Sequence, residues 1–290
     1  MRHKTLKRIA ILIALVVFFA LVGCWIMAGV LTAPINRVVG PPPLDFPSET
    51  IELQTDNGKV AGWYSPPAAS SSSHSTVLLL HPNGGDRRDM LSRAKLIRAA
   101  GFTTLLIDLP AHGESMGSHV SAGYFEKSAV CQAVQFIRRR TPEHKIVILG
   151  RSLGGAAAVL ASPDVDALVL EAVYPTIADA VHNRVELRLG PTHYVIAPLL
   201  LMQMEFRLGI DKRHLRPVDQ INQIRCPVLI VAGDLDERTT AEETQQLFAA
   251  ANAPKKLALF SGAAHQDLLA YDSEKYKTEV LGFLRAALQD

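Results

Sequence analysis

Hydrophobic and polar positions divide the chain into three unlike stretches. Residues 9–31 form a run of 23 positions without a charge. A helix of that length rises about 34 Å, enough to cross a hydrocarbon core of about 30 Å. Residues 35–49, which hold Gly40-Pro41-Pro42-Pro43 and Pro47, show neither helical nor strand periodicity and predict an extended, stiff linker. From residue 50 to 290 the pattern alternates between short apolar runs and amphipathic stretches, which predicts one α/β domain.

That domain opens with Thr50–Gln54 and Val60–Tyr64 around Asp56-Asn57-Gly58, a hairpin signal because Asn and Gly accept positive φ cheaply. Ser70–Ser73 read as a polar loop. The pattern then predicts a strand over Thr76–Leu80, a helix from about Arg88 to Ala100, a strand over Thr103–Asp108 and a helix over Tyr124–Arg139. It continues with a strand over Lys145–Leu149, a helix over Ser152–Ala161 and strands over Ala167–Glu171 and Val228–Ala232. A helix over Ala241–Ala251, a strand over Lys256–Phe260 and a helix over Asp272–Leu288 complete it. Several strands are apolar at every position, as a strand covered by helices on both faces requires. The implied architecture is a mostly parallel, doubly wound sheet with an N-terminal antiparallel hairpin. Residues 174–217 are long for a single crossover and contain the apolar run Val195–Leu208; they predict a small helical cap over the carboxyl edge of the sheet.

Composition sharpens the first stretch. Mean hydropathy is +0.15 with 48% hydrophobic and 20% charged residues, and without the apolar run it drops to roughly −0.1, an ordinary globular value. Of 30 Lys and Arg, four (Arg2, Lys4, Lys7, Arg8) precede the run, leaving 26 against 28 acids. The body is therefore slightly acidic and lacks the basic excess that nucleic acid binding demands. A basic leader before an apolar span reads as a single-pass signal anchor of the cell membrane, residues 1–34, with the body on the far side by the positive-inside rule. The alternatives are a lipoprotein processed at Leu21-Val22-Gly23-Cys24, which lipidates Cys24, and a cleaved signal peptide. Cys24, Cys131 and Cys226 have no metal-site or disulfide spacing and read as free thiols.

Gly-x-Ser-x-Gly occurs twice, at Gly113–Gly117 and Gly150–Gly154. Only Ser152 sits between an apolar strand and an Ala-rich helical segment, the strand-turn-helix context of a nucleophile elbow. A serine hydroxyl needs a base, and the base an orienting acid. His265 is the only histidine beyond residue 214 and follows a strand in a glycine-containing loop. For the acid, Asp236 is favoured, with Asp234 and Glu171 as alternatives, each at or just past the end of a strand. Leu80-His81-Pro82-Asn83-Gly84-Gly85 follows another strand; since Pro82 lacks an N–H, the amides of Asn83 and Leu153 are the natural oxyanion donors.

Taken together these stretches resemble the α/β-hydrolases, and within them the BEM46-like membrane-anchored serine hydrolases, over roughly residues 45–288. The family's His-Gly-Asn-x-Gly loop matches His81–Gly85, its Asp-x-x-Gly-x-Gly-x-Ser stretch matches Asp108–Ser115, and its Gly-x-x-Asp and Gly-x-x-His match Gly233–Asp236 and Gly262–His265. The match favours Asp236 over Asp234 and assigns Ser115 to a structural loop. Pro82 and Ala111 replace family glycines. The resemblance implies the α/β-hydrolase fold and a serine hydrolase acting on carboxylic esters of small-molecule or lipid-like type, without metal or organic cofactor. The same triad serves peptidases, amidases and thioesterases, and a membrane-tethered binding module is the non-enzymatic rival.

Overall fold

The computed structural model of the chain describes residues 2–68 and 74–288; the polar loop expected at Ser70–Ser73 lies outside them. An eight-stranded sheet forms the centre, from β1 (Glu49–Thr55), β2 (Gly58–Ser65), β3 (Ser75–Leu80) and β4 (Thr103–Ile107) to β5 (Lys145–Arg151), β6 (Ala167–Glu171), β7 (Val228–Gly233) and β8 (Lys255–Phe260). The spatial order is β8-β7-β6-β5-β3-β4-β2-β1. Strands β3 to β8 are mutually parallel, with Leu78 opposite both Leu105 and Ile148, and β2 runs antiparallel to β1 and β4.

Alternate residues of the central strands feed two separate cores. Leu78, Leu80, Ile146 and Ile148 pack under α3 (Glu126–Arg140) and α4 (Leu153–Ala161). Val77, Leu79, Val147 and Leu149 pack under α2 (Leu91–Ala99) and the C-terminal helix Ser273–Leu288. With both faces covered, only the strand ends remain for chemistry, and the loops at the carboxyl edge inherit it. The helix predicted from Arg88 begins instead as a 3₁₀ turn, Arg87–Met90, capped by the Asp86 side chain on the Arg88 N–H.

Between β6 and β7 stand α5 (Ile177–Leu189) and α6 (His193–Leu208), separated by a turn at Gly190. Thr176 caps α5 by accepting from the Asp179 N–H, and Gly209 ends α6 in the left-handed conformation. The N-terminal helix α1 (Arg2–Thr32) contains the one stretch among the described residues, Lys4–Thr32, long and apolar enough to cross a membrane. Its last turns rest on the cap: Cys24 and Ala28 are buried against Val185, Ala197 and Leu200.

Residues 35–49, which the prolines predict as an extended, stiff linker, are joined to the body by hydrogen bonds and buried side chains. Ile35–Asn36 pair in parallel with His112–Gly113, and the Val39 and Gly40 N–H groups both donate to Glu114 Oε1. Val39 and Phe46 are buried in the same core as Trp63. Proline restricts backbone angles but does not keep apolar side chains in water, so this segment folds onto the body.

The loop that receives it, Asp108–Gly117, is held by a buried cation. Arg87, fully buried over the Trp63 ring, pairs with Asp108 and with Glu114 at 2.5 Å. The Asp108 carboxylate also takes the Glu114 N–H, and a Cβ at Gly113 would collide with it. Arg87→Met is expected to lower the unfolding free energy by about 3–5 kcal/mol, because Asp108 stays buried without its counter-ion. Urea unfolding of the detergent-solubilised protein checks this, and an unchanged midpoint rejects it.

Candidate active site

The Ser152 turn follows from what its neighbours lack. Ser152 has φ +49° and ψ −112°, a conformation that side chains resist. It persists because Gly150, Gly154 and Gly155 let β5 and α4 approach closely: a Cβ at Gly150 would strike the Gly155 backbone, one at Gly154 the Leu80 carbonyl, and one at Gly155 the Val173 side chain. The Ser152 N–H donates to the Glu171 carbonyl at 2.8 Å, which ties the turn to β6. Leu153 begins α4, so its N–H belongs to the first helical turn, whose amides have no intrahelical acceptor.

Two further loops converge on this edge. Asp236 follows β7 and is 3% exposed; its Oδ1 accepts from the Arg238 and Thr239 N–H groups at 2.8 and 2.9 Å, and its Oδ2 meets His265 Nδ1 at 2.7 Å. His265 follows β8, in a loop stitched to the first by Leu235 N–H to Ala263 O (3.0 Å) and Gly262 N–H to Asp234 Oδ1 (2.6 Å). Gly233 allows the approach, since a Cβ there would collide with the Ala263 carbonyl. Of the three acids weighed from the sequence, Asp236 reaches the imidazole, Asp234 holds the histidine loop, and Glu171 is buried in an ion pair elsewhere. No hydrogen bond joins Ser152 Oγ to His265 among the described residues; such contacts often tighten only with substrate bound. Ser115, of the second Gly-x-Ser-x-Gly, is buried, its hydroxyl donating to Asp108 O and accepting from the Ala61 N–H, so it is fully engaged in the loop.

Sequence reasoning missed the group beneath the histidine loop. Arg93 on α2 is fully buried and binds Glu171 through Nε (2.9 Å) and Nη2 (2.5 Å), and Asp267 through Nη1 and Nη2 (3.0 Å each). Tyr276 donates to the same Glu171 at 3.0 Å. Burial pushes the Asp267 carboxyl up, but the Arg93 hydrogen bonds and charge outweigh it and hold the group below its ordinary value. Arg93 thereby ties the residue two positions after His265 to the strand end that supports Ser152. Nothing in a local sequence window marks an arginine whose partners lie 78 and 174 positions away.

The Asn83 loop has its own pin. Pro82 O accepts from the Gly85 N–H at 3.1 Å, and Gly84 takes φ +78°, closing a tight turn that leaves Asn83 exposed. The buried His81 ring accepts the Leu109 N–H at Nε2 (2.9 Å), so its proton sits on Nδ1, which donates to Pro82 O (2.8 Å). His112 lies edge-on to it and meets Asn83 Oδ1 at 3.2 Å. The cap carries a separate cluster: His182, Glu186 and His193 bring one possible metal ligand each within 4.8 Å of one another. His193 is buried, with Nδ1 2.8 Å from Gly190 O and Nε2 unpartnered.

Sheet order, elbow and the three converging loops define an α/β-hydrolase. A family profile described as the alpha/beta hydrolase fold matches residues 76–191. An uncharacterized protein of Mycobacterium tuberculosis (strain H37Rv) is 28% identical over 221 residues, covering 75% of this chain and 72% of the relative. Protein bem46 of Schizosaccharomyces pombe is 25% identical over 239 residues, covering 80% and 75%. Among solved structures, an esterase of Pyrococcus furiosus superposes with a TM-score of 0.72 at 21% identity, covering 88% of this chain and 99% of that one. A serine hydrolase from Xanthomonas campestris described as lacking a lid gives 0.54 at 18%, covering 86% and 95%. The chain has the α/β-hydrolase fold, and its sequence is similar to BEM46-like proteins.

Burial holds His81 down to about 4, from an ordinary 6.5, and burial followed by the neighbouring His81 lowers His112 as well. The unfolded chain therefore takes up these protons first, so their contribution to stability is complete above about 6.5 and is lost as the pH falls toward about 4. The thermal unfolding midpoint is expected to fall across that window, and to fall less steeply in His81→Gln. An identical slope in the variant rejects the assignment.

Proposed function

We propose that the chain is a membrane-anchored serine hydrolase that cleaves carboxylic esters through an acyl-enzyme, with Ser152 as nucleophile, His265 as base and Asp236 as its orienting acid. The observation that carries this reading is the Asp236–His265 contact at 2.7 Å, on the same sheet edge as a serine in a glycine-walled, positive-φ turn. In the first step Ser152 Oγ attacks the ester carbonyl carbon while its proton passes to His265 Nε2. Asp236, held by two backbone N–H groups, accepts from Nδ1 and stabilises the imidazolium. The N–H groups of Asn83 and Leu153 receive the oxyanion. Collapse expels the alcohol with the proton from His265; water, deprotonated by the same imidazole, then attacks the acyl carbonyl and the carboxylic acid departs. Ester chemistry is favoured because the helical insertion between β6 and β7 is apolar, which suits an acyl chain, and because the fold neighbours include an esterase. Helix α1 serves as the anchor, with its basic leader on the cytoplasmic side and the domain beyond the membrane.

A fluorophosphonate probe is expected to label the wild type and to leave Ser152→Ala unlabelled; a folded but unlabelled wild type sinks the proposal. Asp236→Asn is expected to lower kcat on a short-chain ester by a factor on the order of 10⁴, through loss of the productive tautomer. A panel of esters beside peptide and thioester substrates tests the bond class, and faster cleavage of peptides overturns the ester assignment.

A further inference from the structure

From Val195 to Met202 helix α6 is apolar on every side, where an ordinary surface helix is half polar. From Val195 to Met204 only Pro198 and Gln203 interrupt aliphatic and methionine residues. One side is accounted for, with Ala197, Leu200 and Leu201 buried. On the other side Val195, Met202 and Phe206, at i, i+7 and i+11, stand 64%, 50% and 77% exposed, beside Tyr194. A helix apolar all round is covered on every side in its working environment.

The membrane helix shows what covers it. Trp25 lies 16 residues beyond Ile9, about 24 Å along α1, so the contact between α6 and residues 24–29 falls in the last part of a core about 30 Å thick. The Trp25 and Phe206 ring centroids are 6.0 Å apart. The Arg207 guanidinium lies 3.7 Å over the Trp25 ring and donates to the Trp25 carbonyl at 2.7 Å. Tryptophan beside a cation whose stem lies on apolar surface is the signature of the membrane-water boundary. The exposed stripe of α6 is thus continuous with the lipid-facing surface of α1, at the depth where interfacial helices sink about 5–10 Å.

The site is fixed to the same place. Thr32 O, at the end of α1, accepts from the Val120 N–H at 2.9 Å, and the Ile35 N–H donates to Ala111 O at 2.7 Å. The next residue, His112, contacts Asn83. No free linker separates the span from the carboxyl edge of the sheet, which therefore faces the bilayer.

We propose that α6 lies in the interfacial layer of the membrane that α1 crosses, and that the site beneath it draws its substrate, a long-chain carboxylic ester, from that leaflet. The second half rests on the serine-hydrolase reading; the first does not. Two measurements on the full-length chain in phosphatidylcholine vesicles separate them. In a Trp25→Phe background, Val195→Trp adds one indole at the far end of the stripe. Its fluorescence, read as the difference from Trp25→Phe alone because the buried Trp63 still emits, is expected to be quenched by at least half when the acyl chains are brominated, and to be shielded from aqueous acrylamide, as its depth requires. Quenching by acrylamide but not by bromolipid overturns the insertion, whatever the catalytic chemistry. For the substrate, Met202→Glu with Phe206→Glu is expected to lower kcat/KM for a long-chain ester dissolved in the vesicles by at least about tenfold, the loss of two buried apolar side chains. Hydrolysis of a water-soluble short-chain ester is expected to stay unchanged. Equal rates on the vesicle ester, or equal losses on both substrates, overturn the leaflet as source. A wild type inert toward every ester, with the indole still quenched by bromolipid, removes the hydrolase reading and leaves the inserted cap in place.

Discussion

The close approach of β5 to α4 is the constraint on which the rest of the site depends. Three glycines replace the side chains that would separate strand from helix, and the backbone between them is left in a conformation that costs on the order of 1–3 kcal/mol. Such strain survives only where its surroundings over-determine it. Here they do: both faces of the sheet are buried, β3 and β6 flank the turn, and the Ser152 N–H is taken by Glu171 O. The same residue sends its side chain into the Arg93 pair, so the turn and the histidine loop share one support.

Two buried arginines perform parallel work at this edge. Arg87 fastens the loop that carries His112 and receives the chain leaving α1; Arg93 fastens the loop that carries His265. Buried ion pairs rarely add net stability over apolar substitutes, since desolvation offsets most of the attraction. Their value here is geometric. A guanidinium has five donors in a fixed fork: Arg87 clamps two carboxylates of one loop and Arg93 joins a strand end to the histidine loop, which an apolar cluster does without directional preference.

Much of this was legible in the sequence because the physics is local. Strands buried on both faces must be apolar throughout, and a serine turn between strand and helix must have glycines around it, so β3, β5, β7 and the elbow can be read from neighbours alone. Local spacing did not choose among Asp234, Asp236 and Glu171, which stand at or just past strand ends; the family motif favoured Asp236, and Asp236 is the one within reach of His265. Arg93 carried no signal at all. Residues 35–49 show the opposite failure: the prolines spoke for an extended backbone, while Val39 and Phe46, the local clue to packing, were outvoted by composition.

The folded-in segment bears directly on the proposed anchor. A domain on a free tether samples all orientations, and its tether supplies only proximity. Here the first residues after the helix are hydrogen-bonded to the loop that contacts Asn83, so position and orientation are set together. For a water-soluble substrate that orientation is indifferent. For an ester of a long acyl chain it decides the energetics: withdrawing about fourteen methylenes into water costs on the order of 11 kcal/mol, at about 0.8 kcal/mol per CH₂. In the proposed placement, a mouth at the acyl boundary lets the chain pass from one nonpolar surface to another, and most of that barrier does not arise.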